Sequence, residues 1–221
     1  MLMVPSTKAK TVADVLAELG DISPYRVRLR PYPAKVADVV RIQEREKRLF
    51  ELVDGFLVEK VMGHPESRVA SALIAALENY LETNDLGVVS GEGGMFRLPG
   101  NLVRIPDVAF VPWQSFPNDE ALVESVPEVI PGLAVEVLSQ SNTPGEMSRK
   151  LREYFRAGVR LVWFVDLVKE TVTAFTSEER SKVISSAGKL DGGKVLPGFE
   201  LSVAKIFAKL KRSRKPKRSG R

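Results

Sequence analysis

Three apolar runs constrain how this chain can fold more than any other feature of its sequence. They are residues 107–111 (DVAFV), 133–138 (LAVEVL) and 160–165 (RLVWFV). Short runs that are apolar on both faces are typical of strands in a sheet that helices cover on both sides. The chain order of hairpin, helix, strands, helix and strands therefore predicts an α/β (α+β) fold with a mixed sheet flanked by helices.

Two helices are predicted to cover that sheet. Apolar residues recur at helical spacing over about 65–84, at Val69, Leu73, Leu77, Tyr80 and Leu81. A second helix is predicted at about 144–157, because Thr143 can cap its start, Pro144 suits its first turn and Gly158 can end it.

Shorter sequence patterns predict the local structure of the rest of the chain. Asp54-Gly55 between two apolar runs predicts a hairpin with a type I′ turn. Residues 11–20 predict a short capped helix, whereas residues 21–33 carry three prolines and predict an extended connector. Residues 202–210 predict a final helix.

The positive charge is concentrated at the end of the chain. The 221 residues carry a net charge of +5, but residues 205–221 contain nine Lys or Arg residues and no acid. The preceding 204 residues hold the other 24 basic residues and all 28 acidic ones, so the body is slightly acidic. We expect a disordered tail that either attracts phosphates non-specifically or serves only solubility or targeting. DNA binding at low salt after deletion of this tail separates the two interpretations.

Composition excludes several kinds of site. The chain has no Cys and one His, which excludes disulfides, Cys zinc sites, thiol nucleophiles and His-rich metal centres. No apolar stretch reaches the ~18 residues that span a bilayer, so we expect no membrane association and a cytoplasmic location.

Two carboxylates lie where a buried strand should be apolar. Asp107 opens the first apolar run after Pro106, and Glu136 lies in the middle of the second. An unpaired buried carboxylate is costly unless it binds a cation. The alternatives are that Asp107 is an ordinary acid at a strand start, and that Glu136 faces solvent on an edge strand or forms a buried salt bridge.

Lys150 is the cation on the 144–157 helix that should reach the sheet. At 100° per residue it falls next to the apolar stripe, whereas Arg149 and Arg152 point toward solvent. Alternatively, Lys150 lays its stem along the core and places its ammonium in water. Two acids and a lysine at one end of a sheet suit a Mg²⁺-dependent phosphodiesterase, because Mg²⁺ prefers carboxylate oxygens and activates water.

These residues also resemble a known family. Pro106-Asp107 followed by Glu136-Val137-Leu138 resembles the PD-(D/E)xK nuclease pattern, with Leu138 in the usual lysine position and Lys150 displaced onto the next helix. More specifically, the chain resembles the restriction endonuclease group known as the Uma-two family over roughly 48–200. The matching stretches are residues 51–59, 104–110, 133–139, 142–158 and 161–166.

The resemblance implies roles for individual residues. Asp107, Glu136 and Lys150 would be catalytic, and a Mg²⁺ ion (or Mn²⁺) would be held by Asp107, Glu136 and the backbone carbonyl of Val137. Glu92 is an additional acidic candidate near the site, with a solvated turn acid as the alternative. Glu66 is another, with an ordinary helix-start acid as the alternative. Gln140 and Asn142 follow the strand of Glu136 and are candidates for contact with substrate. His64, the single histidine, is expected in a loop or near a helix start rather than in catalysis.

The resulting hypothesis is a Mg²⁺-dependent endonuclease that hydrolyses DNA. The alternative is a catalytically inactive nuclease-fold module that binds nucleic acid or a protein partner. A homodimer is one expected state, because nucleases that cut both strands often dimerise. The predicted organisation is an N-terminal extension (1–47), a nuclease-like domain (48–204) and the end of the last helix with a basic tail (205–221). The tail residues expected to bind nucleic acid are Lys211, Arg212, Arg214, Lys215, Lys217 and Arg218.

Overall fold

The computed structural model describes residues 11–30, 32–208 and 210. The described residues form five α-helices and thirteen strands. The helices are α1 (Val12–Glu18), α2 (Val36–Glu46), α3 (His64–Leu81), α4 (Pro144–Ala157) and α5 (Val203–Ala208). The predicted basic residues beyond 210 lie outside the described residues.

The main sheet has six strands in the order β11-β10-β9-β8-β7-β4. Strands β8 and β9 are parallel, with α4 between them in the chain, and the other pairs are antiparallel. The strands are β4 (Gly87–Ser90), β7 (Val108–Pro112), β8 (Leu133–Leu138), β9 (Leu161–Asp166), β10 (Thr171–Phe175) and β11 (Ser181–Ser185). The mixed sheet predicted from the three apolar runs is therefore confirmed.

Helices cover both faces of this sheet. On one face Val108, Val135 and Trp163 join the apolar side chains of α3 and α5, and on the other Ala134 and Val162 join those of α4. This alternation along the central strands follows from the period of two residues that separates the faces of a strand. It places Glu136, one residue after Val135, on the face that α4 covers.

A second, antiparallel sheet has the order β1-β3-β2-β6-β5 and packs against α2. Its strands are β1 (Val27–Arg28), β2 (Phe50–Val53), β3 (Phe56–Glu59), β5 (Phe96–Leu98) and β6 (Leu102–Arg104). A separate pair consists of β12 (Lys189–Gly192) and β13 (Leu196–Ser202). The chain passes from the second sheet to the main one through residues 105–107, so Asp107 lies where the two sheets meet.

Local signals in the sequence located most element ends within a few residues. Helix α4 has the predicted bounds, and the Thr143 hydroxyl accepts a hydrogen bond from the amide of Glu146. The β2–β3 turn has positive φ at Asp54 and Gly55, as a type I′ turn requires. The prediction for residues 21–33 was incomplete, because part of this connector pairs along the edge of β3 as β1.

The first helix is tied to α4 by close backbone packing. Gly20 ends this segment with a positive φ of 94°, and its carbonyl accepts a hydrogen bond from the Thr143 hydroxyl. The carbonyl of Glu18 accepts another from Arg149. Residues 11–20 therefore pack on the body of the protein. None of the helices in the described part of the chain has the length and apolar character needed to traverse a bilayer.

Gly20→Ala is expected to lower the free energy of unfolding by about 2–4 kcal/mol, because it combines positive-φ strain with steric overlap. The added methyl group would overlap the backbone of Gly145 and Glu146. The matched control is Gly100→Ala, which has a φ of 88° but, apart from its two neighbours in the chain, no residue within 4 Å of the new methyl group. It should cost about 1 kcal/mol. Urea unfolding measures the free energy of unfolding of both variants. Equal losses in the two variants would contradict the close packing of Gly20 against the start of α4.

Candidate active site

Asp107 and Glu136 lie close together on the main sheet, with Glu136 on β8 and Asp107 just before the neighbouring strand β7. Asp107 immediately precedes β7, and its amide donates to the carbonyl of Val135 over 2.9 Å. The Oδ2 atom of Asp107 accepts a hydrogen bond of 2.6 Å from the amide of Val137. Both carboxylate residues are 3% exposed, which excludes the interpretation of Glu136 as a solvated acid on an edge strand.

Helix α4 supplies two partners to Glu136. The ammonium of Lys150 lies 3.1 Å from each carboxylate oxygen, and the Tyr154 hydroxyl donates to Oε1 over 2.5 Å. The two side chains share one helix face because they are four residues apart. Lys150 is only 1% exposed, so its ammonium reaches the sheet as predicted and is not in water.

Lys60 is a second lysine in the site, and the sequence analysis missed it. It directly follows β3, and its Nζ atom lies 2.7 Å from Oδ1 of Asp107 and 3.2 Å from Oε2 of Glu136. The side chain is 7% exposed. A lysine after a strand end is ordinarily a surface residue, so the sequence offered no signal that could have identified it.

Glu51, on β2, forms a further layer behind these residues. It is fully buried and lies 3.2 Å from the ammonium of Lys150 and 2.6 Å from the guanidinium of Arg104. Its Oε1 atom also accepts a hydrogen bond from the amide of Ile105. Glu51 belongs to one of the stretches that carry the family resemblance, but its position within an apolar hairpin gave no separate indication of this role.

The environment shifts the pKa values of the acids in different directions. Burial alone would raise the pKa of Glu51, but attraction to Lys150 and Arg104 outweighs burial and holds that pKa below its ordinary value. The same balance of burial against Lys150 and Lys60 lowers the pKa of Glu136. For Asp107 burial dominates over the attraction of Lys60, and the pKa is raised.

The pKa of Lys60 is raised. Burial disfavours its charged form, but attraction to Glu136 and Asp107 more than offsets that cost. Lys60 is therefore a charged ammonium held between two carboxylates.

The two carboxylates can share a cation. Asp107 and Glu136 each direct one oxygen at the same ammonium, that of Lys60, so the two oxygens already converge on a single positive charge. The described residues contain no cluster of three or more His, Cys, Asp or Glu side chains suited to a metal ion. A divalent ion here would have two carboxylate ligands and would depend on backbone oxygen and water for the rest, a set that suits Mg²⁺.

A small cavity of about 10 Å³ adjoins the carboxylates, and Val137, Lys60 and Lys150 line it. It borders a wider cleft of about 670 Å³ at the carboxyl ends of β8 and β9. Open sheets commonly bind ligands at that end of their parallel strands.

The additional candidate residues have different positions. Glu66, in the first turn of α3, lines both the cavity and the cleft, whereas Gln140 is exposed and lines only the cleft. Asn142 lines both the cavity and the cleft. Its side-chain amide accepts a hydrogen bond from the backbone amide of Ser139 and donates one to the Glu146 carboxylate. Two residues are not brought into the site: Glu92 is exposed in the turn after β4, and His64 is the exposed first residue of α3.

Comparison with known proteins identifies the chain's family. The family model Uma2, described as "Putative restriction endonuclease", matches residues 36–204, which is more than half of the chain. The chain belongs to the Uma2 family. This confirms the resemblance to the Uma-two group, and Uma2 membership together with the fold supports a nuclease.

A solved structure supports the fold. It is that of a putative nuclease belonging to DUF820 from Anabaena variabilis ATCC 29413, which superposes with a TM-score of 0.67 at 15% sequence identity. The match covers 75% of this chain and 93% of that one. The predicted nuclease fold is therefore confirmed. A search of curated proteins found no match.

Glu51→Gln is expected to lower the free energy of unfolding at pH 7 by about 3–5 kcal/mol, because it leaves buried cations short of negative charge. Since the pKa of Glu51 is depressed in the folded state, its contribution is complete above the ordinary value of 4.5 and declines below it. The difference between variant and wild type should therefore narrow as the pH falls from 5 to 3.

Denaturant unfolding at several pH values measures this difference. Glu46→Gln is the control, since Glu46 forms an exposed bidentate pair with Arg28 and its loss should matter little. A difference for Glu51→Gln that stays constant or grows toward pH 3 would contradict the assignment.

Proposed function

We propose that the protein is a Mg²⁺-dependent endonuclease that hydrolyses phosphodiester bonds in DNA, with Mn²⁺ as an alternative ion. The observation that carries this proposal is the buried pair Asp107 and Glu136, which direct two oxygens at one cation at the end of a substrate-sized cleft. Family membership supports the reaction class, and the donor set supports the metal.

Asp107, Glu136 and the carbonyl of Val137 are the proposed metal ligands. When bound, the metal would polarise the scissile phosphate and lower the pKa of a coordinated water. The protein's own contribution is to hold the ligands in place. The amide of Val137 orients Asp107, and Tyr154 and Lys150 orient Glu136 and favour its ionised form.

Lys150 is the proposed catalytic lysine. The residue two positions after Glu136 is Leu138, but the ammonium of Lys150 contacts Glu136 from α4 and lines the same cavity. A fixed positive charge at that place can stabilise negative charge as it develops on the phosphate oxygens. Glu51 would act through Lys150, because it holds the ammonium from behind.

The DNA backbone would approach through the cleft beside this cavity. Glu66 and Gln140 line the cleft, where they could adjust substrate position, and the basic segment 205–221 would add salt-dependent attraction to phosphates. A homodimer and a cytoplasmic location remain predictions from the sequence.

Two observations favour the alternative of an inactive module that binds nucleic acid or a protein. The ammonium of Lys60 occupies the space between the two carboxylates, and Leu138 replaces the usual lysine. Calorimetry with Mg²⁺ and Mn²⁺ separates the two functions, since an inactive module need not bind a divalent ion.

Purified protein is expected to cleave plasmid DNA with Mg²⁺ or Mn²⁺ and to lose cleavage in EDTA. Asp107→Asn and Glu136→Gln should each reduce the rate by at least about 100-fold, and Lys150→Met by a similar factor, because each removes a charge that the transition state needs. Asp191→Asn and Lys182→Met are matched controls at exposed positions and should cleave normally. Cleavage that persists in EDTA, or in both carboxylate variants, would refute the proposed site.

A further inference from the structure

Lys60 holds both proposed metal ligands at once. Its ammonium lies 2.7 Å from Asp107 and 3.2 Å from Glu136, at the place where the two carboxylates converge. Among the described residues no other cation is recorded in contact with Asp107. The position proposed for the metal therefore coincides with the position of this ammonium.

The charges around the site balance without a metal. Three buried acids, Glu51, Asp107 and Glu136, contact the cations Lys60, Lys150 and Arg104. Arg104 also contacts Glu153, and that acid is matched in turn by Arg149. Adding a divalent ion to this set would leave two uncompensated positive charges in a buried environment, which is costly. Withdrawal of one ammonium would reduce that excess to a single charge.

Lys60 is the cation that can withdraw. Lys150 and Arg104 both contact the fully buried Glu51, so moving either would remove one of the two cations that neutralise that acid. Lys60 instead directly follows β3, next to the exposed Val61, and it is one of the residues that line the small cavity. Its four-carbon side chain can rotate toward solvent without moving a helix or a strand.

We propose that Lys60 competes with the divalent ion for the Asp107–Glu136 pair. In the metal-free protein its ammonium neutralises the two carboxylates, and it withdraws when the ion binds. This inference rests on the proposed metal site, and it assigns Lys60 the role of a positioning residue that sets metal affinity.

The test measures Mn²⁺ binding without DNA, by calorimetry and by electron paramagnetic resonance. Lys60→Met should bind Mn²⁺ at least about tenfold more tightly than wild type, because the ion no longer displaces a paired ammonium. Its melting temperature should be below that of wild type without metal and should rise more on addition of Mn²⁺. Lys182→Met, which removes an exposed lysine on β11, should match wild type in both measurements.

A second measurement uses the wild-type chain and does not depend on the folding of a variant. Reductive methylation followed by mass spectrometry reports the accessibility of each lysine. Lys60 should react slowly in the metal-free protein and faster with Mn²⁺, whereas the reactivity of Lys182 should not change.

The outcomes distinguish this inference from the proposed function. Competition is refuted if wild type and Lys60→Met bind Mn²⁺ equally and Mn²⁺ leaves the reactivity of Lys60 unchanged. The metal site still stands in that case if Asp107→Asn abolishes Mn²⁺ binding. If neither wild type nor Lys60→Met binds Mn²⁺, the metal site and the competition are both refuted.

Discussion

Glu136 and the cations that contact it are the interaction on which the rest of the site depends. A carboxylate in the middle of a central strand would destabilise the sheet if it were unpaired. Here it accepts hydrogen bonds from Lys150 and Tyr154 on α4 and from Lys60 at the end of β3. The helix, the main sheet and the second sheet are therefore linked through one buried acid, and their relative placement fixes the geometry of the site.

The same arrangement explains why the second sheet belongs to the site. Strand β2 contributes Glu51, and the last residue of β6 contributes Arg104. The chain then reaches Asp107 just before it enters the main sheet as β7. Each buried acid contacts at least one cation, so ion pairing offsets the cost of burying the charges. Replacing such a cluster with apolar residues is often neutral or stabilising, so stability alone does not account for its presence.

The sequence predicted much of the fold because the decisive signals are local. The three apolar runs, the Asp54-Gly55 turn and the Thr143 cap depend on a few adjacent residues, and each formed as expected. The acids Asp107 and Glu136 were identifiable because they interrupt apolar strands. Lys60 was not, since its role depends on contacts with residues 47 and 76 positions away, which no periodicity records. Glu92 was predicted to lie near the site, but it is exposed in the turn after β4, and the sequence does not show which residues that turn contacts.

The central claim is that Asp107 and Glu136 form a site for one divalent ion. Its most direct test is a crystal structure of the full chain grown with Mn²⁺, with anomalous scattering used to locate the metal. The account predicts one ion bound by an oxygen of each carboxylate, with Lys150 still in contact with Glu136. Mn²⁺ bound elsewhere, or carboxylates that still hold Lys60 at saturating Mn²⁺ with no ion between them, would contradict it.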